Sequence, residues 1–213
     1  MTDTPRWDAI LACLPNRLRE NVSRETLEKL DSFASLLVEE NQSQNLVAAA
    51  SIPDLWTRHI VDGAQLLGLA DGEGSWCDIG SGPGLPGIVI AILGGSPMTL
   101  NEPRRLRADF LRRAVAALAL DRVSVAECKV EKMAGKFDFI TARAVAPLDK
   151  LFGMACHLAH RETKWVLPKG EKAQSELAEA RGSWQGSFRL VPSRTHPASA
   201  IVFAEHVQRR GKR

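Results

Sequence analysis

The sequence predicts an α/β fold in which helices cover a mostly parallel sheet. From residue 76 to residue 170, short apolar runs that are typical of buried strands alternate with helical patterns. A glycine-rich loop joins the first of these runs to an apolar helix, as happens where open α/β sheets bind a ligand. Two further strand-like segments, 187–191 and 198–203, indicate a closing antiparallel pair.

The composition is that of one globular domain with an extension. The chain has 213 residues, of which 45% are hydrophobic and 25% are charged, and its net charge is +3. This mildly basic balance permits a nucleic-acid partner without requiring one. The four cysteines stand far apart, and no apolar run approaches the length of a membrane span. We therefore expect a cytoplasmic protein without a disulfide framework.

The first 70 residues predict helices. A weakly periodic segment lies within residues 1–20, and a longer amphipathic helix is expected from 22 to about 40, with Ser23 as its N-cap. Polar residues break this pattern at 41–45. Capping-box spacing then opens another helix, which we expect at 51–67.

Arg58, His59 and Asp62 stand on this second helix at positions i, i+1 and i+4. The spacing allows Arg58 and Asp62 to form an ion pair, while His59 falls on the apolar stripe. From the spacing alone, a structural ion pair beside a half-buried histidine is the favoured interpretation.

Residues 76–88 are the stretch around which the chain is organised. Gly80, Gly82 and Gly84 can adopt positive φ and bring bare backbone close to a ligand. The apolar helix that follows, 88–93, presents its free N–H groups at the same place, where they favour negative charge. We therefore expect a ligand at this loop, and a tight turn without a ligand is the alternative.

A carboxylate, Glu102, ends the second strand-like run, 20 residues after Gly82. That spacing fits a side chain that holds the two hydroxyl groups of a ribose. Nicotinamide-dinucleotide sites share this pattern, but their fingerprint needs a glycine at the position of Leu85. A bound pyrophosphate is therefore less favoured than another ribose-containing ligand.

The later elements continue the alternation. A helix at about 103–120 carries five arginines, and a solvated face competes there with phosphate contact by Arg112 and Arg113. Strands are expected at 122–126, 137–144 and 164–170, with helices at about 147–158 and 171–181. The basic end, 209–213, is expected to be a disordered tail.

Arg143 stands at the carboxyl end of the fourth strand, where its charge must be satisfied in the ligand cleft. This position makes it a candidate contact for ligand or substrate. His157 and His160 have a spacing that could hold a metal, but the sequence offers no evident third ligand nearby, and we predict no metal site.

The segment Asp78-Ile79-Gly80-Ser81-Gly82-Pro83-Gly84-Leu85-Pro86-Gly87 resembles the cofactor loop of the glucose-inhibited division protein B family. These are the bacterial methyltransferases of guanine N7 in small-subunit ribosomal RNA. Arg58-His59-x-x-Asp62 and the turn at Lys169 also resemble family motifs. Asn41, Asn45 and Leu46 match another motif, although Glu40 stands where the family has a tryptophan.

The resemblance implies a Rossmann-like S-adenosylmethionine-dependent methyltransferase fold. Such a fold has a mostly parallel seven-stranded sheet with helices on both faces, here with an N-terminal helical extension. We expect residues 1–70 to form the extension and to pack on the core, 71–207 to form the methyltransferase domain, and 208–213 to be the basic tail.

The resemblance also implies cofactor, substrate and site residues. The cofactor is S-adenosylmethionine, and the substrate is a specific guanine of 16S ribosomal RNA or of the small ribosomal subunit. We expect a monomer without metal and without membrane contact. The implied cofactor-binding residues are Gly80, Gly82, Leu85, Glu102, Val130, Glu131 and Arg143. The candidate RNA contacts are Arg58, His59, Arg112, Arg113 and Lys169.

Arg143 is implied to position the reactants beside the methyl donor. Guanine N7 has an exposed lone pair and can attack a methyl group without first losing a proton, so no general base is expected. Two other functions stay open. One is a nicotinamide-dinucleotide-dependent oxidoreductase, and the other is a noncatalytic RNA-binding module on the same fold; a small-molecule methyltransferase is less favoured, because of the arginine-rich helix and the basic tail.

Overall fold

The computed structural model describes residues 4–70 and 72–211. Three 3-10 turns cover Ala49–Ser51, Val130–Lys132 and Cys156–Leu158, and the last of them directly follows an α-helix. A π-helix (Trp56–Val61), a short α-helix (Asp62–Ala64) and a 3-10 turn (Gln65–Gly68) form one uninterrupted helical run. The α-helices are α1 (Thr4–Leu11), α2 (Asn16–Arg19), α3 (Arg24–Gln44), α4 (Asp62–Ala64), α5 (Gly87–Gly94), α6 (Arg105–Ala117), α7 (Leu148–Ala155) and α8 (Ala173–Ser183).

Seven strands form one sheet in the order β3-β2-β1-β4-β5-β7-β6. They are β1 (Trp76–Ile79), β2 (Met98–Asn101), β3 (Val123–Ala126), β4 (Phe137–Ala142), β5 (Ala159–Lys169), β6 (Trp184–Pro192) and β7 (Ala200–Arg209). The first five are parallel, and β7 runs antiparallel between β5 and β6. The predicted mostly parallel seven-stranded sheet is confirmed. Its strand order reverses between β1 and β4, where α/β sheets bind ligands.

Two hydrophobic clusters pack on the sheet, and neighbouring residues of a strand contribute to different clusters. On β5, Val166 belongs to the first cluster while Trp165 and Leu167 belong to the second. Because successive strand residues point to opposite faces, the clusters cover the two faces of the sheet. The predicted helices on both faces are therefore present.

The N-terminal helices share the first cluster with the sheet. Leu30 and Phe33 of α3 are fully buried in the same cluster as Ile88 of α5 and Leu100 of β2. The Ser23 hydroxyl accepts a hydrogen bond from the Thr26 amide, which confirms the predicted N-cap. The predicted division of the chain at residue 70 stays a prediction.

Several boundaries differ from the sequence prediction. Helix α3 continues to Gln44 because Asn41 turns inward, where its side-chain oxygen accepts from the Val47 amide at 2.8 Å. Strand β5 begins at Ala159, so His160 lies on a strand.

The chain end also differs. Strand β7 runs to Arg209, and the Arg210 amide donates to the Ser183 carbonyl at 2.8 Å. The expected disordered tail is therefore wrong for Arg209 and Arg210, which hold regular hydrogen-bonded positions. Lys212 and Arg213 lie outside the described residues. Within 4–70 and 72–211, no helix combines the length and the apolar character that crossing a membrane requires.

Candidate functional site

The loop after β1 is more closely packed at Gly80 than at Gly82. Gly80 and Gly82 have φ of +64° and +53°, conformations that side chains rarely adopt. A β-carbon on Gly80 would lie 2.6 Å from a methyl group of Val145, in the segment after β4. A β-carbon on Gly82 would lie no closer than 3.8 Å to any described neighbour, the nearest being Arg107 Nη1 and the Gly80 carbonyl. Gly82 is buried, and a small side chain there would meet only ordinary van der Waals contacts.

Asp78 is a buried carboxylate beneath this loop. It lies on β1 and is 0% exposed, and its Oδ2 accepts a hydrogen bond from the Gly87 amide at the start of α5, at 3.1 Å. Its Oδ1 is buried and has no partner among the described residues. Burial raises the pKa of Asp78 to about 7. An unpaired carboxylate oxygen in this place favours a cationic or hydrogen-bond-donating ligand.

Glu102 connects the loop to α6. It is 3% exposed, its Oε2 accepts from the Gly82 amide at 2.9 Å, and its Oε1 accepts from the Arg104 amide at 2.9 Å. Both oxygens thus already hold backbone groups. A carboxylate has about four acceptor sites, so a ribose hydroxyl can still bind beside these amides.

The segment after β3 lies beside the same edge. The Asn101 side chain donates to the Cys128 carbonyl at 2.8 Å and so ties this segment to β2. Val130 and Glu131 lie on the same 3-10 turn; Val130 is buried in the second cluster, whereas Glu131 is exposed. Leu85 is 3% exposed and packs in the first cluster, so its side chain does not line the cleft and only its backbone can reach a ligand.

Arg143 follows β4 and is held through a single nitrogen. Its Nη1 lies 2.9 Å from His59 Nδ1, 3.4 Å from the Arg58 carbonyl and 3.6 Å from Asp62 Oδ2. Its Nε and Nη2 make no hydrogen bond to any residue of 4–70 or 72–211. Burial lowers the pKa of Arg143, and the Asp62 carboxylate opposes that effect. One edge of the guanidinium is therefore anchored, and the other is available in the cleft.

The predicted ion pair between Arg58 and Asp62 is wrong. Arg58 is exposed and, among the described residues, contributes only its carbonyl, while Asp62 faces Arg143. The reason is the π-helix over Trp56–Val61, whose wider turn changes the i, i+4 register on which the prediction depended. Such turns are frequent at functional sites.

His59 is neutral in this arrangement. The Ser51 hydroxyl donates to the Ala48 carbonyl at 2.7 Å, so it accepts from His59 Nε2 at 3.1 Å. The Nδ1 atom then accepts from Arg143. Burial, followed by the charge of Arg143, lowers the pKa of His59 to about 4. The predicted RNA contact His59 is thus a half-buried support for Arg143.

A cavity of about 420 Å³ opens beside Arg143, within the range of small-molecule sites. Lys169 forms part of its wall and is not a free cation, since its Nζ donates to the Ala146 carbonyl at 2.7 Å and lies 2.9 Å from Glu176 Oε2. The other lining residues are Asp62, Ala144, Val145, Pro147, Pro168, Gly170, Ser193, Ser199, Ala200 and Ile201.

Arg112 and Arg113, the two predicted phosphate contacts on α6, already have acidic partners. Arg112 pairs with Asp109 and Glu127, each at 2.8 Å, and Arg113 pairs with Glu40 at 2.6 Å. Both side chains lie on the exposed face of the helix. RNA phosphate would have to compete with these carboxylates.

His157 and His160 separate onto different elements and partners. His157 Nε2 lies 3.2 Å from the Met133 carbonyl, and His160 Nε2 lies 3.1 Å from Asp138 Oδ1. In the part of the chain that the structure describes, no group of three potential metal ligands comes together.

Sequence reasoning missed Asp78 and Glu176 as site residues. Asp78 had a signal, because a carboxylate at the end of a strand directly precedes the glycine loop. Glu176 had none, since it stands in a polar helix and reaches the cavity only through the packing of α8.

The chain matches known proteins along most of its length. The family model described as rRNA small subunit methyltransferase G matches residues 26–196. A protein of Sphingopyxis alaskensis named ribosomal RNA small subunit methyltransferase G is 49% identical over 183 residues, covering 84% of this chain and 78% of that protein. Its namesake in Zymomonas mobilis is 47% identical over 206 residues, covering 90% and 93%.

Solved structures agree on the fold. The glycopeptide N-methyltransferase MtfA complexed with sinefungin superposes with a TM-score of 0.60 at 10% identity, covering 68% of this chain and 85% of that chain. At this identity the likeness concerns the fold alone. The family match and the relatives identify the chain by sequence: it belongs to the rRNA small subunit methyltransferase G family.

Proposed function

We propose that this chain transfers a methyl group from S-adenosylmethionine to N7 of a guanine in 16S ribosomal RNA. The observation that carries the proposal is the glycine loop after β1, where Asp78 has a buried oxygen without a partner among the described residues and Glu102 holds the Gly82 amide. Family membership favours this function over the nicotinamide-dinucleotide oxidoreductase.

The residues present fit this cofactor. S-adenosylmethionine carries an ammonium group and a sulfonium, and Asp78 offers a buried acceptor without a partner beneath the loop. Glu102 keeps acceptor capacity for the ribose, and Val130 and Glu131 flank the place of the adenine. Gly80 and Leu85 shape the loop, the latter from the core side.

The chemistry asks little proton transfer of the protein. When bound, S-adenosylmethionine would supply a methyl group on a positively charged sulfur; the guanine N7 lone pair would form the new C–N bond while the C–S bond breaks and a neutral thioether leaves. Arg143 then acts by position, because its free edge can donate to the guanine O6 next to N7 and orient the ring. His59 accepts from Arg143 and is neutral above pH 4, so it supports the arginine without adding charge.

The cavity beside Arg143 is the proposed place of the target base. It lies at the carboxyl ends of β4 and β5, next to the loop, and Asp62 and Glu176 provide acceptors that match the N–H groups of guanine. Lys169, held by Glu176, would contribute its charge from the cavity wall.

RNA backbone contact is proposed for the exposed arginines. On α6, Arg112 and Arg113 must exchange a carboxylate for phosphate, whereas Arg104 has no ion pair within the described ranges. Arg58 is exposed near the same cleft. The monomeric state and the cytoplasmic location remain part of this proposal.

Methyl transfer with a labelled donor tests the function. The purified chain is incubated with S-adenosylmethionine carrying a labelled methyl group and with naked 16S RNA, an assembly intermediate or the small subunit, and the modified base is mapped by chemical cleavage. We expect label at one guanine N7 in at least one of these substrates. Binding of RNA without any label in RNA would instead support the noncatalytic module.

A further inference from the structure

Gln65 is a buried polar side chain that the proposed chemistry does not use. It follows α4 and is 5% exposed. Its amide nitrogen donates to Asp62 Oδ1 at 2.7 Å and to the Ser193 hydroxyl at 3.2 Å, and its amide oxygen accepts from the Arg194 amide at 2.8 Å. Its bonds therefore go either to the carboxylate beside Arg143 or to the loop between β6 and β7, residues 193–199.

The same loop reaches that carboxylate directly. The Thr195 hydroxyl donates to Asp62 Oδ1 at 2.7 Å, and the Ser193 and Thr195 hydroxyl oxygens lie 2.9 Å apart. The other oxygen, Asp62 Oδ2, lies 3.6 Å from Arg143 Nη1. One carboxylate thus joins the loop on its first oxygen and Arg143 on its second.

The loop is also a wall of the cavity. Ser193 and Ser199 line it together with Asp62 and Arg143. Between β6 and β7 the backbone leaves the sheet ladder, and loops of this kind move more than the strands they connect. The bonds to Asp62 and Gln65 hold the loop against the helical run. The position of the loop and the orientation of the Arg143 side chain are therefore coupled.

We propose that Gln65 and Thr195 are positioning residues for methyl transfer, which act on the target guanine through Asp62 and Arg143. The inference rests on the proposed function and adds a link between the cavity wall and Arg143. With the link intact, Asp62 keeps one orientation, and the free edge of Arg143 points into the cavity. Without the Thr195 hydroxyl, Asp62 can turn, and Arg143 loses its alignment with the base.

The variant Thr195→Val removes one hydroxyl and keeps the shape of the side chain. We expect the single-turnover rate of methyl transfer to fall about tenfold, in line with the loss of a hydrogen bond to a charged group. Affinity for S-adenosylmethionine, measured by calorimetry, should stay at the wild-type value because the loop at Gly82 is untouched. Gln65→Met should behave in the same way.

His196→Ala is the matched control. His196 is exposed on the same loop, and among the described residues its ring bonds only to the nearby Ala198 amide, at 3.3 Å. We expect the wild-type rate from this variant. A general effect of disturbing the loop would slow His196→Ala and Thr195→Val alike, which would contradict the inference.

A double-mutant cycle with Arg143→Lys decides whether the effect passes through Arg143. If it does, Thr195→Val causes no further loss in the Arg143→Lys background; excess enzyme over long reaction times keeps the slow rate measurable. A full tenfold loss in both backgrounds would overturn the inference while leaving the proposed function standing. A wild-type chain that transfers no methyl group would instead contradict the proposed function, and this inference with it. Thermal unfolding of each variant shows that it is folded.

Discussion

At the scale of single residues, the site is built from polar groups that the protein itself holds in place. Glu102 holds the glycine loop through the Gly82 amide, and Arg143 is anchored through one nitrogen. Fixed groups of this kind lose little freedom when a ligand binds, which favours affinity. Substitutions at this scale should therefore separate ligand binding from stability.

Gly82→Ala and Gly95→Ala provide such a pair. Both glycines have φ near +60°, at +53° and +61°, and neither would place a β-carbon within 3.4 Å of a described neighbour. Each substitution should cost about 1 kcal/mol of unfolding free energy because of the left-handed backbone. Only Gly82→Ala should weaken binding of S-adenosylmethionine, by about tenfold, or ~1.4 kcal/mol. Calorimetry that shows equal affinity for the two variants would contradict the placement of the ligand.

Asp78 makes stability depend on pH. Its folded-state pKa is raised to about 7 from 3.8, so the stabilising protonated form is complete below pH 4 and is lost as the pH rises through 7. The shift corresponds to about 4 kcal/mol as an order of magnitude. Asp78→Asn removes this titration. The unfolding free energy of the variant minus that of the wild type should therefore increase from pH 5 to pH 8. If chemical denaturation gave parallel pH profiles for the variant and the wild type, the folded protein would hold Asp78 ionised at no cost in free energy.

At the scale of elements, the arginines of α6 differ in how free they are to bind RNA. Arg112 and Arg113 pair with carboxylates, whereas Arg104 is exposed at the start of the helix without an ion pair within the described ranges. The side-chain hydrogen bond from Arg113 also lowers the pKa of Glu40, because it stabilises the ionised carboxylate.

Arg104→Ala should therefore reduce RNA affinity more than Arg113→Ala does. Binding is measured against salt concentration, where each lost phosphate contact lowers the slope of the log–log plot by about one unit. We expect that reduction for Arg104→Ala and a smaller one for Arg113→Ala, its matched control on the same helix. Equal reductions would mean that RNA displaces the carboxylate of Glu40 at no cost.

At the scale of the whole molecule, the N-terminal helices and the sheet share one hydrophobic cluster, and the Arg143 side chain bonds to the π-helix of the N-terminal region. A shared core predicts one cooperative unfolding transition. In hydrogen exchange under mild denaturant, the amides of α3 and β1 should become exposed with the same free energy. Earlier exposure of α3 would show that residues 1–70 unfold separately from the sheet.

Prediction of the site from the sequence works best where the chemistry of a residue and its local structure indicate the same role. The order of strands and helices along the chain is predicted by apolar periodicity. The loop at Gly82 is predicted by a run of glycines that few other local structures require. The sequence predicts Glu102 and Arg143 as site residues because each directly follows a buried strand, and the carboxyl ends of parallel strands meet at one edge of the sheet.

By itself, the sequence determined the alternating elements, the glycine loop and the family resemblance, because each of these depends on neighbouring residues. The tertiary structure alone decided that Asp62 faces Arg143 instead of Arg58, that Glu40 takes up Arg113, and that Lys169 turns inward to Glu176. These partners stand far apart in the chain or depend on one π-turn. The pairing of charged side chains is therefore set by the packing of whole elements, and local sequence spacing does not predict it.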